Sequence, residues 1–192
     1  MREDADPSID GRRRRGDRSR QEIIDATLAL IERDGAAGVT HRRVAREARV
    51  ASSLPHYYFA TLDDLLVAAL TTVADAFSAM IRAVADGGGD PLRGLAEVLV
   101  DCATRTRTLG IAERELSTLA SRRPALVPTA RRWRDDVADI GRLLTDDPDR
   151  IEAFVAVADG VCTAILLGSM PADADRVQRA LRSVVDPARN SE

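Results

Sequence analysis

Between Val39 and Phe59 the chain reads "VTHRRVAREARVASSLPHYYF". Both histidines of the protein, His41 and His56, fall there, as do both tyrosines, Tyr57 and Tyr58. Four arginines, Arg42, Arg43, Arg46 and Arg49, and two serines, Ser52 and Ser53, complete the set. Arginine binds phosphate oxygens and guanine edges. Small hydroxyls allow close approach, and His or Tyr serve phosphate oxygens and thymine methyls. Metal ligation by the histidines lacks a Cys, Asp or Glu four residues after either one. Catalysis by His56 with a tyrosine needs a pocket, which a surface helix rarely supplies. The chemistry best matched is contact with a polyanion.

Charge patterning points the same way. Eleven arginines face six acids between Gly11 and Ala60, whereas sixteen face twenty-one from Thr61 onward. A basic N-terminal quarter therefore precedes an acidic body, although the chain as a whole carries only −3. All 28 basic residues are arginine, which reads first as GC-rich codon usage. The run Arg12, Arg13, Arg14 and Arg15 leads into the basic quarter and fits a flexible arm reaching DNA.

At 192 residues, 45% apolar and 31% charged, the chain can bury a core, and with 3% aromatics that core must be Leu, Val, Ile and Ala. Cys102 and Cys162, sixty residues apart, read as buried free thiols. No signal-type apolar segment opens the sequence. The most apolar run, Phe154–Met170, is too short to span a bilayer and contains Asp159. A cytoplasmic location is expected.

Helical spacing runs almost throughout and strand alternation nowhere, so the fold class is all-α, with about nine helices. Residues 1–17 are polar and predicted disordered. A helix is predicted over 20–33, ended by Gly35, then one from Thr40 as cap through Ala48 and one over 52–58. "TLDD" at Thr61 opens a long helix to Ala85, and Asp90 with Pro91 starts the next. Further helices are expected over 91–107, 111–122, 124–144 and 151–167, with a short last one to Val185. The domain division is 1–17 arm, 18–60 helix-turn-helix and 61–187 regulatory and dimerisation domain.

Two short helices after a longer one make a helix-turn-helix unit. Beyond that geometry, residues 18–66, with "RDGAAGVTHRRVAREARVASSLPHYYFATLDDLL", resemble the DNA-binding domain of TetR-family transcriptional regulators. The resemblance implies DNA contact by Thr40, Arg42, Ser52, Ser53, His56 and Tyr57, with Arg43 beside them. It also implies an inner face of Val44, Ala45, Ala48, Val50 and Phe59, and Tyr58 packed partly on the fourth helix. Three departures stand out. Arg49 and Ser53 replace frequent glycines, and Leu62 replaces a common phosphate-binding lysine. Pro55 requires that the second short helix have it in its first turn.

In that family the last two helices form the dimer interface. By resemblance this places Phe154, Val157, Gly160, Val161, Ala164, Leu181 and Val184 there. An effector pocket among helices four to eight would draw on Met80, Cys102, Arg105, Glu115, Thr118 and Trp133, although Trp133 also fits a core stripe with 126, 130, 137, 140 and 144. The expected function is a ligand-responsive repressor, dimeric on a palindromic operator, with a small-molecule effector and no metal or cofactor. The alternative is a helical binding protein or enzyme that keeps the fold without operator binding.

Overall fold

The computed structural model describes residues 7–186 and, from residue 16 onward, their side chains. Among the described residues there are nine α-helices, two 3-10 turns and no strand. The chain divides into two compact units between Ala69 and Leu70, within the fourth helix rather than at its start.

The first unit begins with α1, Pro7–Asp34. Its length corrects the predicted disordered arm: residues 7–17 continue the helix, and only residues 1–6 lie outside the described part. Proline is tolerated at a helix start, and no second proline intervenes before Gly35, although Gly11 and Gly16 lie within the helix. Exposed pairs one turn apart support it, Arg18 to Glu22 at 3.1 Å and Gln21 to Asp25 at 2.9 Å. Ile23, Ile24, Leu28, Leu30 and Ile31 form its buried side. Gly35, at φ 76°, ends it by returning its N–H to the Ile31 carbonyl at 2.9 Å.

Helix α2, His41–Glu47, starts where Thr40 Oγ1 accepts the Arg43 N–H at 3.2 Å. It ends in a Schellman turn. The Val50 N–H reaches Ala45 O at 3.0 Å, and the Arg49 N–H reaches Arg46 O at 3.3 Å. Arg49 takes the left-handed position, φ 57°, which glycine normally fills. Helix α3, Leu54–Tyr58, is shorter than predicted and has Pro55 in its first turn. The expected capping box then opens α4, Leu62–Asp86. Asp64 N–H donates to Thr61 Oγ1 at 3.1 Å and Thr61 N–H to Asp64 Oδ2 at 2.9 Å. By length and composition α4, not the Phe154–Met170 run, is the helix that could cross a membrane. Its apolar stripe of Leu65, Leu66, Ala69, Leu70, Val73, Phe77 and Ile81 is, however, buried in the protein.

The second unit packs α5 (Pro91–Ala103) against α8 (Pro148–Leu166) and α9 (Ala174–Val185), with α7 (Val127–Arg142) also on α8. Helix α6, Arg107–Leu119, touches α5, α7 and α8. Leu95, Leu99, Leu116, Val137, Phe154 and Leu181 form the centre of this core. The α5–α6 break falls at 104–106, earlier than predicted. Asp101 O accepts both the N–H and the hydroxyl of Thr106, at 2.8 and 3.0 Å, and so closes α5 there. Gly110 is consequently inside α6. It is a close-approach glycine, since a Cβ there would lie 2.1 Å from Cys102 O. Between α4 and α5, Gly88 (φ 65°) and Gly89 have open space around them. Next to them Asp90 caps Leu92 N–H at 3.0 Å and accepts Gln178 of α9 at 2.7 Å.

Candidate DNA interface and effector cleft

The Schellman turn at Arg49 sets α2 and α3 on either side of a bend. Val44, Ala45, Pro55 and Phe59 are buried within the unit. The opposite side carries Thr40, Arg42, Arg46, Arg49, Ser52, Ser53, His56 and Tyr57, all exposed. Tyr57 is 79% exposed, far more than an aromatic ring needing no partner would be. A recess of about 380 Å³ beside α2 is lined by Arg42, Arg43 and Arg46. This is a row of cations, hydroxyls and rings that can meet phosphates and base edges.

Three residues of the segment are tied to the rest of the unit. Arg43, grouped with the contact residues on sequence, is partly buried. Its Nη1 donates to Gly38 O at 2.6 Å and its Nη2 to Asp34, so it ties α2 to the end of α1. Glu47 does the same from the next turn, accepting Arg33 at 3.0 and 3.2 Å. His41 is buried, with Nε2 3.1 Å from Phe59 O. Burial, then the nearby His56, lower its pKa from the ordinary histidine value, against the pull of the Phe59 carbonyl and Asp64. Tyr58 is half-buried, and its hydroxyl lies 3.7 Å from where a Cβ on Gly16 of α1 would be. Arg12, Arg13, Arg14 and Arg15 fall within α1, but their side chains lie outside the described part.

In the second unit the six residues proposed for an effector do not form one site. Thr118 and Trp133 do come together, on a cleft of about 190 Å³. Arg105 is on the surface, paired with Asp101 at 2.6 Å, and Glu115 is exposed. Cys102 is buried in the core, and Met80 is half-buried on α4. The cleft's other polar residues, Glu113, Arg114, Ser117, Arg134 and Asp159, were missed. Burial raises the pKa of Glu113, opposed by the Ser117 hydroxyl, which donates to Oε1 at 2.6 Å, and by Arg114. Arg114 pairs with Asp159 at 2.8 Å while its Nε is buried without a partner. Glu113 and Ser117, one turn apart on a mostly polar helix, gave the sequence only a weak signal. Asp159, inside the most apolar run, gave a stronger one.

Of the residues assigned to the subunit interface, Phe154, Val161 and Leu181 are instead buried in the subunit's own core. An apolar helix with one side on α5, α7 and α9 must spend part of its apolar surface there. Val157, Gly160, Ala164 and Val184 stay accessible, as do Ala153, Ala156 and Leu167, which is 77% exposed.

Residues 23–69 match the model for bacterial regulatory proteins of the tetR family, and residues 86–187 match the tetracyclin repressor-like C-terminal domain. The HTH-type transcriptional regulator BetI of Agrobacterium fabrum is 32% identical over 164 residues, 79% of each chain. The HTH-type nicotine-responsive transcriptional repressor HdnoR of Paenarthrobacter nicotinovorans is 33% identical over 82 residues, 43% of this chain and 42% of its own. Among solved structures, the multidrug binding protein EbrR complexed with ethidium is 39% identical, with a TM-score of 0.73, covering 87% of this chain and 98% of that one. EbrR is also solved with proflavin and with malachite green.

Proposed function

This chain belongs to the TetR family of transcriptional regulators, and from that premise we propose that it is an effector-released repressor acting as a homodimer on a palindromic operator. The observation that carries the reading is the exposed row Thr40, Arg42, Ser52, Ser53, His56 and Tyr57 on two short helices. Helix α3 enters a major groove, and two such units read half-sites about 34 Å apart or a multiple of that. The basic run Arg12–Arg15 adds phosphate contacts from the start of α1. HdnoR, named a repressor, supports the sign of the response. The protein works by binding in the cytoplasm, not by catalysis.

The effector enters the cleft at Trp133. EbrR's ligands include ethidium, proflavin and malachite green, all flat aromatic dyes. Trp133 offers such a ring a stacking partner, and Glu113 is the cleft acid not ion-paired with Arg114, which holds Asp159. Effector binding must favour a state in which the two half-site readers are misplaced, a coupling of about 1–3 kcal/mol. The test is a shift assay on the promoter DNA beside the protein's own gene, repeated with malachite green. Trp133 is the one tryptophan, so its fluorescence reports dye binding directly. Retarded DNA, released by dye with quenching of Trp133, is the expected result. Dye binding with no retention of promoter DNA would favour the rival reading of a helical binding protein without an operator.

A further inference from the structure

We propose that His41 is a positioning residue for DNA reading: its buried ring holds the exposed ring of His56 in one plane and so sets how strictly α3 selects one base pair. The inference rests on the operator reading above. The two rings lie nearly parallel, with centroids 3.9 Å apart. His41 is 9% exposed, while His56 is on the open side of α3. One member of the pair can therefore meet DNA, and the other can act only through it.

An exposed histidine needs such a support. The torsion that turns its ring is a broad sp³–sp² rotation without a sharp preferred angle. A base edge presents donors and acceptors at fixed places, so a ring nitrogen discriminates between bases only when the ring plane is fixed as well. Ordering the ring before DNA arrives also removes part of the entropy cost of binding.

His41 is itself held. It is the first residue of α2, directly after the Thr40 cap. Its Nε2 lies 3.1 Å from the carbonyl oxygen of Phe59, the residue that ends α3. A carbonyl can only accept, so Nε2 carries the hydrogen, which fixes both the tautomer and the plane of the His41 ring. Phe59 is buried, and the Arg20 guanidinium of α1 lies 5.0 Å from its ring centre. The support thus runs from α1 through Phe59 and His41 to the surface at His56. Burial and the neighbouring His56 disfavour a charge on His41, whereas the Phe59 carbonyl and Asp64 of α4 favour one. Tyr57 and Tyr58 repeat the arrangement alongside, edge to face at 5.1 Å, with the outer ring 79% exposed and the inner one half-buried. The four His and Tyr side chains of the protein therefore divide into two outer rings and two inner ones.

The test uses the full chain and two variants. His41→Gln keeps a hydrogen-bond donor without a ring, and His41→Phe keeps a ring without the donor. In the free protein the ring current of His41 should displace the His56 ring-proton NMR signals from the free-histidine position. That displacement should vanish in His41→Gln and persist in His41→Phe. Binding is then measured to the promoter duplex beside the protein's own gene, with its base pairs changed one at a time, and to a duplex of scrambled sequence. His56→Ala identifies the base pair that His56 reads, as the one whose change no longer matters. His41→Gln should lose about tenfold in discrimination at that same pair and nothing elsewhere. His41→Phe should keep it, and adding His41→Gln to His56→Ala should cost nothing more. Equal weakening on promoter and scrambled DNA would make His41 a packing residue only and overturn the proposal. Undiminished discrimination in His41→Gln, or its loss in a folded His41→Phe, would do the same. If His41→Gln does not fold, the ring shift of the unmodified chain and the His41→Phe discrimination still decide. An absent ring shift overturns this proposal alone. A chain that shows the shift but binds promoter DNA no more tightly than scrambled DNA overturns the operator reading, and this proposal with it.

Discussion

His41 and His56 stack face to face, with ring centroids 3.9 Å apart and planes inclined by 21°. One ring is buried and the other is exposed on the helix assigned to the groove. Two imidazolium rings in that arrangement repel, so the stack favours neutral His41. Its folded pKa is lowered. The stability this contributes is present above the unfolded value, about 6.5, and is lost as pH falls through the folded pKa. With only two histidines in the chain, two imidazole NMR signals can be followed. The His41 signal should titrate below the free-histidine value, and His56→Ala should move it upward. A His41 signal titrating at or above the free value would contradict the stack.

Neighbouring arginines should separate cleanly. Arg42→Ala is expected to weaken operator binding by ~1–3 kcal/mol with the fold intact. Arg43→Ala removes the ties to Gly38 O and Asp34 and should cost about 1–2 kcal/mol of stability in the first unit. Shift assays and denaturant melts on both variants would show whether the roles are instead shared or exchanged.

Arg49 bears the cost of a left-handed backbone. Arg49→Gly should relieve about 1 kcal/mol of strain, partly offset by the greater freedom of glycine in the unfolded chain. If the side chain meets a phosphate, the same variant should bind operator less tightly, and the log–log salt slope should flatten by ~0.9. A variant no more stable and with the full slope would leave the arginine unexplained.

Gly110→Ala should destabilise the second unit by about 1–3 kcal/mol or more, because the new Cβ would meet the Cys102 carbonyl at 2.1 Å. That atom is backbone and cannot swing aside. An unchanged denaturant midpoint would show that α5 and α6 can separate at no cost.

Gly160 presents the opposite case. None of the described residues of its own subunit lies within 4 Å of a Cβ placed there, so their packing does not require glycine. A helix-interior glycine costs ~1 kcal/mol against alanine, and a partner subunit approaching α8 is the proposed offset. Gly160→Leu should give monomers or aggregates in sedimentation and lose tight binding to a two-half-site operator. A normal dimer with normal operator affinity would place the interface elsewhere.

Local chemistry was the legible part of this molecule. Thr40, the Thr61–Asp64 box, and Asp90 with Pro91 are capping signals that act within one turn, and each begins a helix as read. Position-by-position resemblance also located the exposed row from Thr40 to Tyr57. What escaped depends on tertiary neighbours. Gly110 falls in the gap predicted between 107 and 111 but is inside α6, where it admits a carbonyl from another helix. Arg43 looked like a phosphate ligand but ties down the turn at Gly38. The cleft at Trp133 draws its acids from α6 and α8, whose approach no spacing rule reveals.

The triglycine stretch before α5 offers a practical handle. Gly88 and Gly89 are exposed, with open space where a side chain would be, while Asp90 immediately after them is held by α9. A fluorescent protein spliced between those two glycines would interrupt no buried backbone and would leave the α5 cap in place. Its near end would be carried by α4 and its far end by α5, the helix that bears Cys102. A change of tension between them would become a change of colour in a living cell.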